Sequence, residues 1–454
     1  MKEHQKELSA SSEGLSQALA RGTLTRRHML WLMAAAGGGV VTGCAVNPVT
    51  GERQFMLMTP SQELEIDREH SPHQFSADYG PSQDQRLNDY VGGVGDDIAR
   101  VSHRPDMPYS FRAVNANHIN AYAFPGGSIA LTRGMLLEME NESQMAGLLG
   151  HEVTHVTARH TARRMTQHTL TGLIVAGAGA VLAERAGDDR AALAMGLGGI
   201  ATGVLLATYS RGDEREADEV GMEYMVEAGH NPRGMVGLME VLREQSPGKR
   251  SMLEQVFASH PMSDERYETA RQRLARQYAD RRDLPEGRER YMDHTARLRD
   301  LAPAIRLQQQ AEEALRRQQY DEAETRLKES VDQAPEDYTG LVLLGKTLMM
   351  QERHGEARKW LERAMEVYPE EAQAHHLAGV ASLHEDKPQT ALTRFRHYRE
   401  TLPGNPNTDF FIGLSHERMG DREQAARAYR RFLQSGVEGQ QAEYARERLQ
   451  SWGV

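Results

Sequence analysis

The chain has 454 residues, too many for one core of ordinary size, so two or three domains are expected. With 39% hydrophobic and 26% charged residues it has the composition of a folded, helix-rich protein rather than a disordered one. A formal net charge of -11 with no long Lys/Arg block argues against a nucleic-acid partner, and a single cysteine, Cys44, rules out an intrachain disulfide.

Residues 29–41 (MLWLMAAAGGGVV) form an apolar run of signal-peptide length, too short to span a membrane comfortably, and Arg26 and Arg27 precede it. Val41-Thr42-Gly43-Cys44 resembles a lipobox, which implies removal of residues 1–43 and lipid attachment at Cys44. Ala45 resembles the signal for passage to the outer membrane, and the TRRHML context (25–30) a twin-arginine export signal. The expected location is therefore the periplasmic face, lipid-anchored. Residues 44–60, with turn residues Pro48 and Gly51, read as a tether.

Residues 60–100 mix polar and apolar positions at roughly helical spacing, and LNDYVGGVGDDIARV reads as an amphipathic helix. The period then changes: YSFRAV (109–114) and SIALT (128–132) read as short strands, the second after the turn Pro125-Gly126-Gly127. A strand just before the next helix can offer a sheet edge to an extended polypeptide, which makes Ser128, Ile129 and Ala130 candidates for binding substrate backbone.

The helical pattern resumes at Glu142 and carries HEVTH. His151 and His155, four apart, share one helix face and can both present a ring nitrogen to one Zn²⁺, with Glu152 beside the metal as a general base. His160 lies about 140° round a continuous helix from His155 and reads as solvated. Residues 170–183 and 191–208 are Gly/Ala-rich apolar segments, read as a helical hairpin near the site rather than a membrane span.

A third ligand is expected downstream, because a histidine six after His155 is missing and position 161 is Thr161. In SRGDEREADEVGMEYM (210–225), Glu214 and Asp218 are four apart on one face. One carboxylate there can ligate zinc while the other orients a ligand imidazole; Glu216 and Glu219 read as surface charge. From about residue 304 the chain repeats every 34 residues: Ala323, Ala357, Ala391 and Ala425; Gly345, Gly379 and Gly413; Pro335, Pro369 and Pro403. This is the tetratricopeptide (TPR) period of stacked helix pairs, an architecture that holds a peptide or another protein.

NAYAFPGGSIALTRGML, GHEVTHVTARH, SRGDEREAD and SHPMSDER, in that order, resemble the signatures of the HtpX/Oma-type gluzincin metallopeptidase family. With its TPR array the chain is most similar to the BepA-type periplasmic branch, while its lipobox resembles the lipoproteins of the same family. The resemblance implies one zinc per chain held by His151, His155 and Glu214, with Glu152 as catalytic base and Asp218 as the acid behind a ligand. It also implies that His260 is able to take the fourth zinc position and hold the enzyme off, with Arg266 in support. The expected fold is α+β and mostly helical: a metallopeptidase domain with a small sheet over 61–295, then an all-α TPR solenoid over 304–454. The expected function is an endopeptidase in outer-membrane protein quality control or assembly. Its expected partners are unfolded or misassembled envelope proteins and the outer-membrane assembly machinery. A TPR chaperone or scaffold with a structural or latent zinc site is the alternative; an intact Glu152 favours the enzyme.

Overall fold

The computed structural model describes residues 44–167, 209–243 and 259–454; the expected signal segment 1–43 and the expected hairpin at 170–208 lie outside the described residues. Among the described residues no helix is long and apolar enough to cross a membrane. The stretch 44–60, expected as a tether, carries a short hairpin at 44–55 that packs on the body of the protein. β1 (Cys44–Val46) pairs antiparallel with β2 (Arg53–Phe55), Asn47 and Met56 are buried, and the Leu57 N–H donates to Thr166 Oγ1 at 3.1 Å. Pro48 and Gly51 shape a hairpin turn because both flanks have partners in the body of the protein.

α1 (Pro60–Ala77) starts at a capping box of Thr59 and Gln62 with Pro60 in its first turn. Its buried side is polar, which is why no apolar period marks it. Glu63 takes Arg104 at 3.0 Å and Arg159 at 2.7 Å, and Asp67 accepts the Ser128 N–H at 2.9 Å. α2 (Gln85–Arg100) is amphipathic as expected, burying Leu87, Val91, Val94 and Ile98. Gly95 is required on it, since a Cβ there would stand 2.3 Å from the Phe111 ring.

β3 (Ser110–Val114), β4 (Ala121–Ala123) and β5 (Ser128–Thr132) form one sheet in the order β3-β5-β4, β5 being parallel to β3 and antiparallel to β4. Strand alternation divides its faces. Phe111, Ala113, Ile129 and Leu131 join the core with α2, whereas Val114, Tyr122, Phe124 and Ala130 pack under Ile66 and Phe75 of α1. This order corrects one expectation: Ser128, Ile129 and Ala130 are paired on both sides and cannot add a substrate strand. β4 is an edge strand of this sheet, and its residues Ala121, Tyr122 and Ala123 are buried, at 1%, 3% and 5% exposure. The Thr132 N–H donates to Asn120 O at 3.0 Å and the Phe124 N–H to Ser128 O at 2.8 Å, so Ala121 and Ala123 turn their own N–H and C=O away from β5.

α3 (Arg133–Glu138) leads into α4 (Glu142–Thr157), a helix buried along its whole length and flanked by α5 (Arg211–Glu227) and α6 (Arg233–Arg243). α7 (Asp264–Arg276), α8 (Arg288–His294) and α9 (Ala296–Asp300) lead to the repeats. These are α10 (Ala302–Arg316) with α11 (Tyr320–Gln333), α12 (Tyr338–Met350) with α13 (His354–Val367), α14 (Ala372–His384) with α15 (Pro388–Thr401), and α16 (Asn407–Arg418) with α17 (Arg422–Gln434), closed by α18 (Gln440–Trp452). The 34-residue registers meet in space. A Cβ on Gly345, Gly379 or Gly413 would come within 2.7 Å of Leu361, within 2.7 Å of Phe395 or within 2.6 Å of Tyr429.

The repeats are docked on the N-terminal half through the first helices of three pairs and the loop ahead of the fourth. Gln309 of α10 donates to Asn117 O at 2.8 Å, Thr339 of α12 to Asn115 O at 3.1 Å, and Gln373 of α14 to Ser76 O at 2.9 Å, while His73 meets Pro403 O ahead of α16 at 2.9 Å. At the end of α1, Tyr79 (φ 64) and Gly80 (φ 77) are both left-handed. This turn inserts Tyr79 into the core of the repeats, and Gly80 passes so close that a Cβ would stand 2.7 Å from Glu371 Cγ.

Candidate metal centre

α4 is capped by Asn141 and presents His151, Glu152 and His155 inward, at 5%, 1% and 1% exposure. α5 starts at Ser210, whose capping box with Asp213 sets the first turn and so places Glu214 and Asp218 toward α4. The two helices touch backbone to backbone: a Cβ on Gly150 would be 2.4 Å from Gly221 O, and one on Gly221 2.7 Å from Gly150 C. Gly221→Ala is therefore expected to wedge α5 away from α4. We expect a loss of about 1–3 kcal/mol in chemical denaturation, together with weaker metal retention on dialysis.

The side chains converge on one point. His155 Nε2 is 3.1 Å from His151 Nε2, His260 Nδ1 is 3.3 Å from His151 Nε2 and 3.1 Å from Glu214 Oε1, and the Glu214 oxygens lie 3.6 and 3.7 Å from His155 and His151 Nε2. A tetrahedral ion with bonds of about 2.0–2.1 Å needs ligand atoms roughly 3.3–3.4 Å apart. The donor set His151, His155, Glu214 and His260 fits that requirement, and all four residues are buried. Asp218 stands behind His151, its Oδ1 3.1 Å from Nδ1. Arg266 of α7 grips Asp218 at 2.6 and 2.7 Å and reaches Glu214 Oε2 at 2.6 Å, while its Nη1 donates to Pro261 O at 2.9 Å. One guanidinium thus locks both carboxylates and the turn that carries His260.

Electrostatics match the chemistry of a dication site. Burial and the neighbouring imidazoles push His155 well below the usual histidine range, which keeps it neutral and able to ligate. Burial works to raise Glu214 and Asp218, but His260 at the first and Arg266 at the second outweigh it and hold both carboxylates ionised. Glu152 is raised, by burial first, against the pull of His260 and His151. Its Oε2 has no hydrogen-bond partner among the described residues, and its Oε1 is 3.7 Å from His260 Nε2. A raised, unpartnered carboxylate beside the cage is suited to receiving a proton.

Several functional neighbours escaped the sequence reading. His160, expected to be solvated, is fully buried and bonds His155 Nδ1 at 2.8 Å. α4 ends at Thr157 and Arg159 is left-handed (φ 60), held there by Glu63 and Met58 O, so the chain kinks and His160 swings back. Glu216, read as surface charge, bonds His160 and Asn47. Glu219 is the surface residue expected, half-exposed against Arg273. Tyr209 stacks on His155 at 3.8 Å, Arg164 lies over the Tyr209 ring at 4.6 Å, and the Tyr209 N–H donates to Ser259 O at 3.0 Å, pinning the loop next to His260. No spacing rule announces such a stack.

Two histidines and a glutamate brought together from neighbouring helices, with a buried carboxylate beside them, define a metallopeptidase. Residues 85–274 match the model of Peptidase family M48 and residues 314–380 that of the tetratricopeptide repeat, so the chain carries a family M48 domain followed by TPR repeats. It is 28% identical over 374 residues to the beta-barrel assembly-enhancing protease of Yersinia pestis, covering 76% of each chain. Against the protein of that name from Escherichia coli (strain K12) it is 30% identical over 194 residues, 42% of this chain and 39% of that one. Against metalloprotease YcaL of the same strain it is 32% identical over 168 residues, 37% of this chain and 63% of that one. The chain thus spans three quarters of the first relative and about two fifths of the second.

Proposed function

We propose that the protein is a lipid-anchored, zinc-dependent endopeptidase of the bacterial envelope that cleaves unfolded or misassembled outer-membrane proteins. In this reading the TPR repeats recruit substrate or the assembly machinery. The observation that carries the peptidase reading is the buried cage of His151, His155, Glu214 and His260 with Glu152 against it. The lipobox ending at Cys44 and the names of the relatives support the location and the substrate class.

The residues divide the work. Ala121 and Ala123 on the edge strand β4, which packs on α4, take an extended substrate backbone into the sheet once their buried edge is uncovered. Held by His151, His155 and Glu214, zinc would supply Lewis acidity for water and for the scissile carbonyl. Glu152 accepts the proton of the attacking water and returns it to the leaving amine. Asp218 fixes the His151 ring, and Arg266 fixes Asp218. His260 occupies the corner that water needs, so it acts as a latch that must leave before turnover.

Bound metal and cleavage of casein and of an unfolded outer-membrane protein, measured for the full chain and for His260→Ala, test the peptidase; Cys44→Ser tests the anchor. The expected result is one zinc per chain, cleavage that rises several-fold in His260→Ala, and release of Cys44→Ser from the membrane fraction. Zinc without cleavage in either form would move the reading to a TPR chaperone with a silent site. A Cys44→Ser protein still tightly membrane-bound would remove the lipid anchor.

A further inference from the structure

The two imidazoles of HEVTH are held differently. His151 presents Nδ1 directly to the Asp218 carboxylate. His155 reaches a carboxylate only through a second imidazole: its Nδ1 is 2.8 Å from His160 Nδ1, His160 Nε2 is 3.2 Å from Glu216 Oε2, and Glu216 Oε1 accepts from Asn47 Nδ2 at 3.1 Å. One arrangement of hydrogens satisfies all of these contacts. With Nε2 of His155 facing the cage, its Nδ1–H donates to a bare His160 Nδ1, so His160 carries its hydrogen on Nε2 and donates to Glu216.

The far end of this chain is rigid. Asn47 Oδ1 accepts the Val49 N–H at 2.9 Å, its backbone carbonyl accepts the Gly51 N–H at 2.9 Å, and its own N–H donates to Glu52 O at 2.8 Å. Asn47 is 3% exposed and sits in the turn between β1 and β2, three residues after Cys44.

We propose that His160, Glu216 and Asn47 are positioning residues for His155, and that the hairpin beginning at Cys44 is thereby a working part of the metal centre. The proposal rests on the reading of His151, His155 and Glu214 as zinc ligands. The chain of bonds fixes the His155 tautomer and ring plane and makes its Nε2 a better donor, as an outer carboxylate does for a ligand histidine. Undocking the hairpin would withdraw Asn47 from Glu216 and loosen the hold on zinc at a distance from any ligand.

The test is zinc affinity, measured by competition with a chromogenic chelator, alongside the thermal midpoint of the metal-free form. The full chain is compared with His160→Ala, Glu216→Leu, Glu216→Gln and Asn47→Ala. The expected result is an affinity lowered by about 10–100-fold in His160→Ala and Glu216→Leu and less in Asn47→Ala. Glu216→Gln, which keeps an acceptor for His160, should recover much of the loss, and the metal-free midpoints should stay together. Unchanged affinity in His160→Ala and Glu216→Leu would overturn the proposal, and so would affinity losses that track falling metal-free midpoints. A wild-type chain that takes up no zinc would overturn the metal centre itself, and this proposal with it.

Discussion

Glu152→Gln is expected to lower kcat by about 10²–10⁴-fold, the contribution typical of a positioned proton-transfer group, while leaving zinc bound. Gln matches Glu in shape and carries no charge to accept a proton. Glu152 is not among the residues that could hold the metal, His151, His155, Glu214 and His260, so the cage keeps its donors when Glu152 loses its charge. Glu152 is 1% exposed and raised by burial, which suits it to hold a proton between the attack and the departure of the amine. Elemental analysis combined with cleavage of a fluorogenic peptide separates the outcomes. Zinc retained with cleavage abolished assigns the proton transfer to Glu152, whereas unchanged turnover would show that another group performs it.

Arg133→Ala should be the most damaging change at the contact between the two halves of the molecule, with a loss of about 3–5 kcal/mol in chemical denaturation. Arg133 is 4% exposed and uses its whole fork: Nε and Nη2 donate to Asn117 Oδ1 at 2.9 and 2.7 Å, Nη1 to Asp337 Oδ1 at 2.6 Å, and Nη2 to Gln308 Oε1 at 2.5 Å. Burial alone would raise Asp337; the Arg133 guanidinium outweighs it and keeps that carboxylate ionised. Truncating Arg133 leaves a buried charge whose remaining bonds, from Gln308 and the Gly340 N–H, are neutral. Asp337 also caps α12, so the damage reaches the first turn of that repeat helix. A denaturant midpoint within experimental error of wild type would show that the contact contributes little.

What the sequence reveals here is what repeats or follows one period. His151 and His155 are legible because a helix stacks residues four apart, and Glu214 and Asp218 for the same reason; the structure faces the two pairs toward each other. The repeats are legible because Gly345, Gly379 and Gly413 must be small wherever Leu361, Phe395 and Tyr429 press in. Strand order is a different matter. SIALT reads as a strand, but nothing in five residues tells that it lies between β3 and β4. His160 is misread because angular spacing assumes an unbroken helix, and the break at Arg159 depends on Glu63, nearly a hundred residues earlier in the chain. α1 is quiet for a related reason: its buried side is polar, and Glu63, Asp67, His73 and Ser76 find their partners far along the chain.

The docking of Tyr79 and Gly80 into the repeats bears on the order in which the molecule is completed. Ser76 bonds Glu371, which follows it by 295 residues, and Gln373 bonds Ser76 O from a similar distance. α2, the sheet and α4 can assemble from nearby chain as it is synthesised, whereas the turn at residues 78–80 has no wall to enter until α12 and α14 exist. Asp78 in that turn accepts the Tyr122 hydroxyl at 2.6 Å, and Tyr122 stands between Ala121 and Ala123 on the edge strand β4. The turn that holds the Tyr122 hydroxyl is therefore seated only once the repeats exist, so the outer corner of the sheet is finished by chain made long after it.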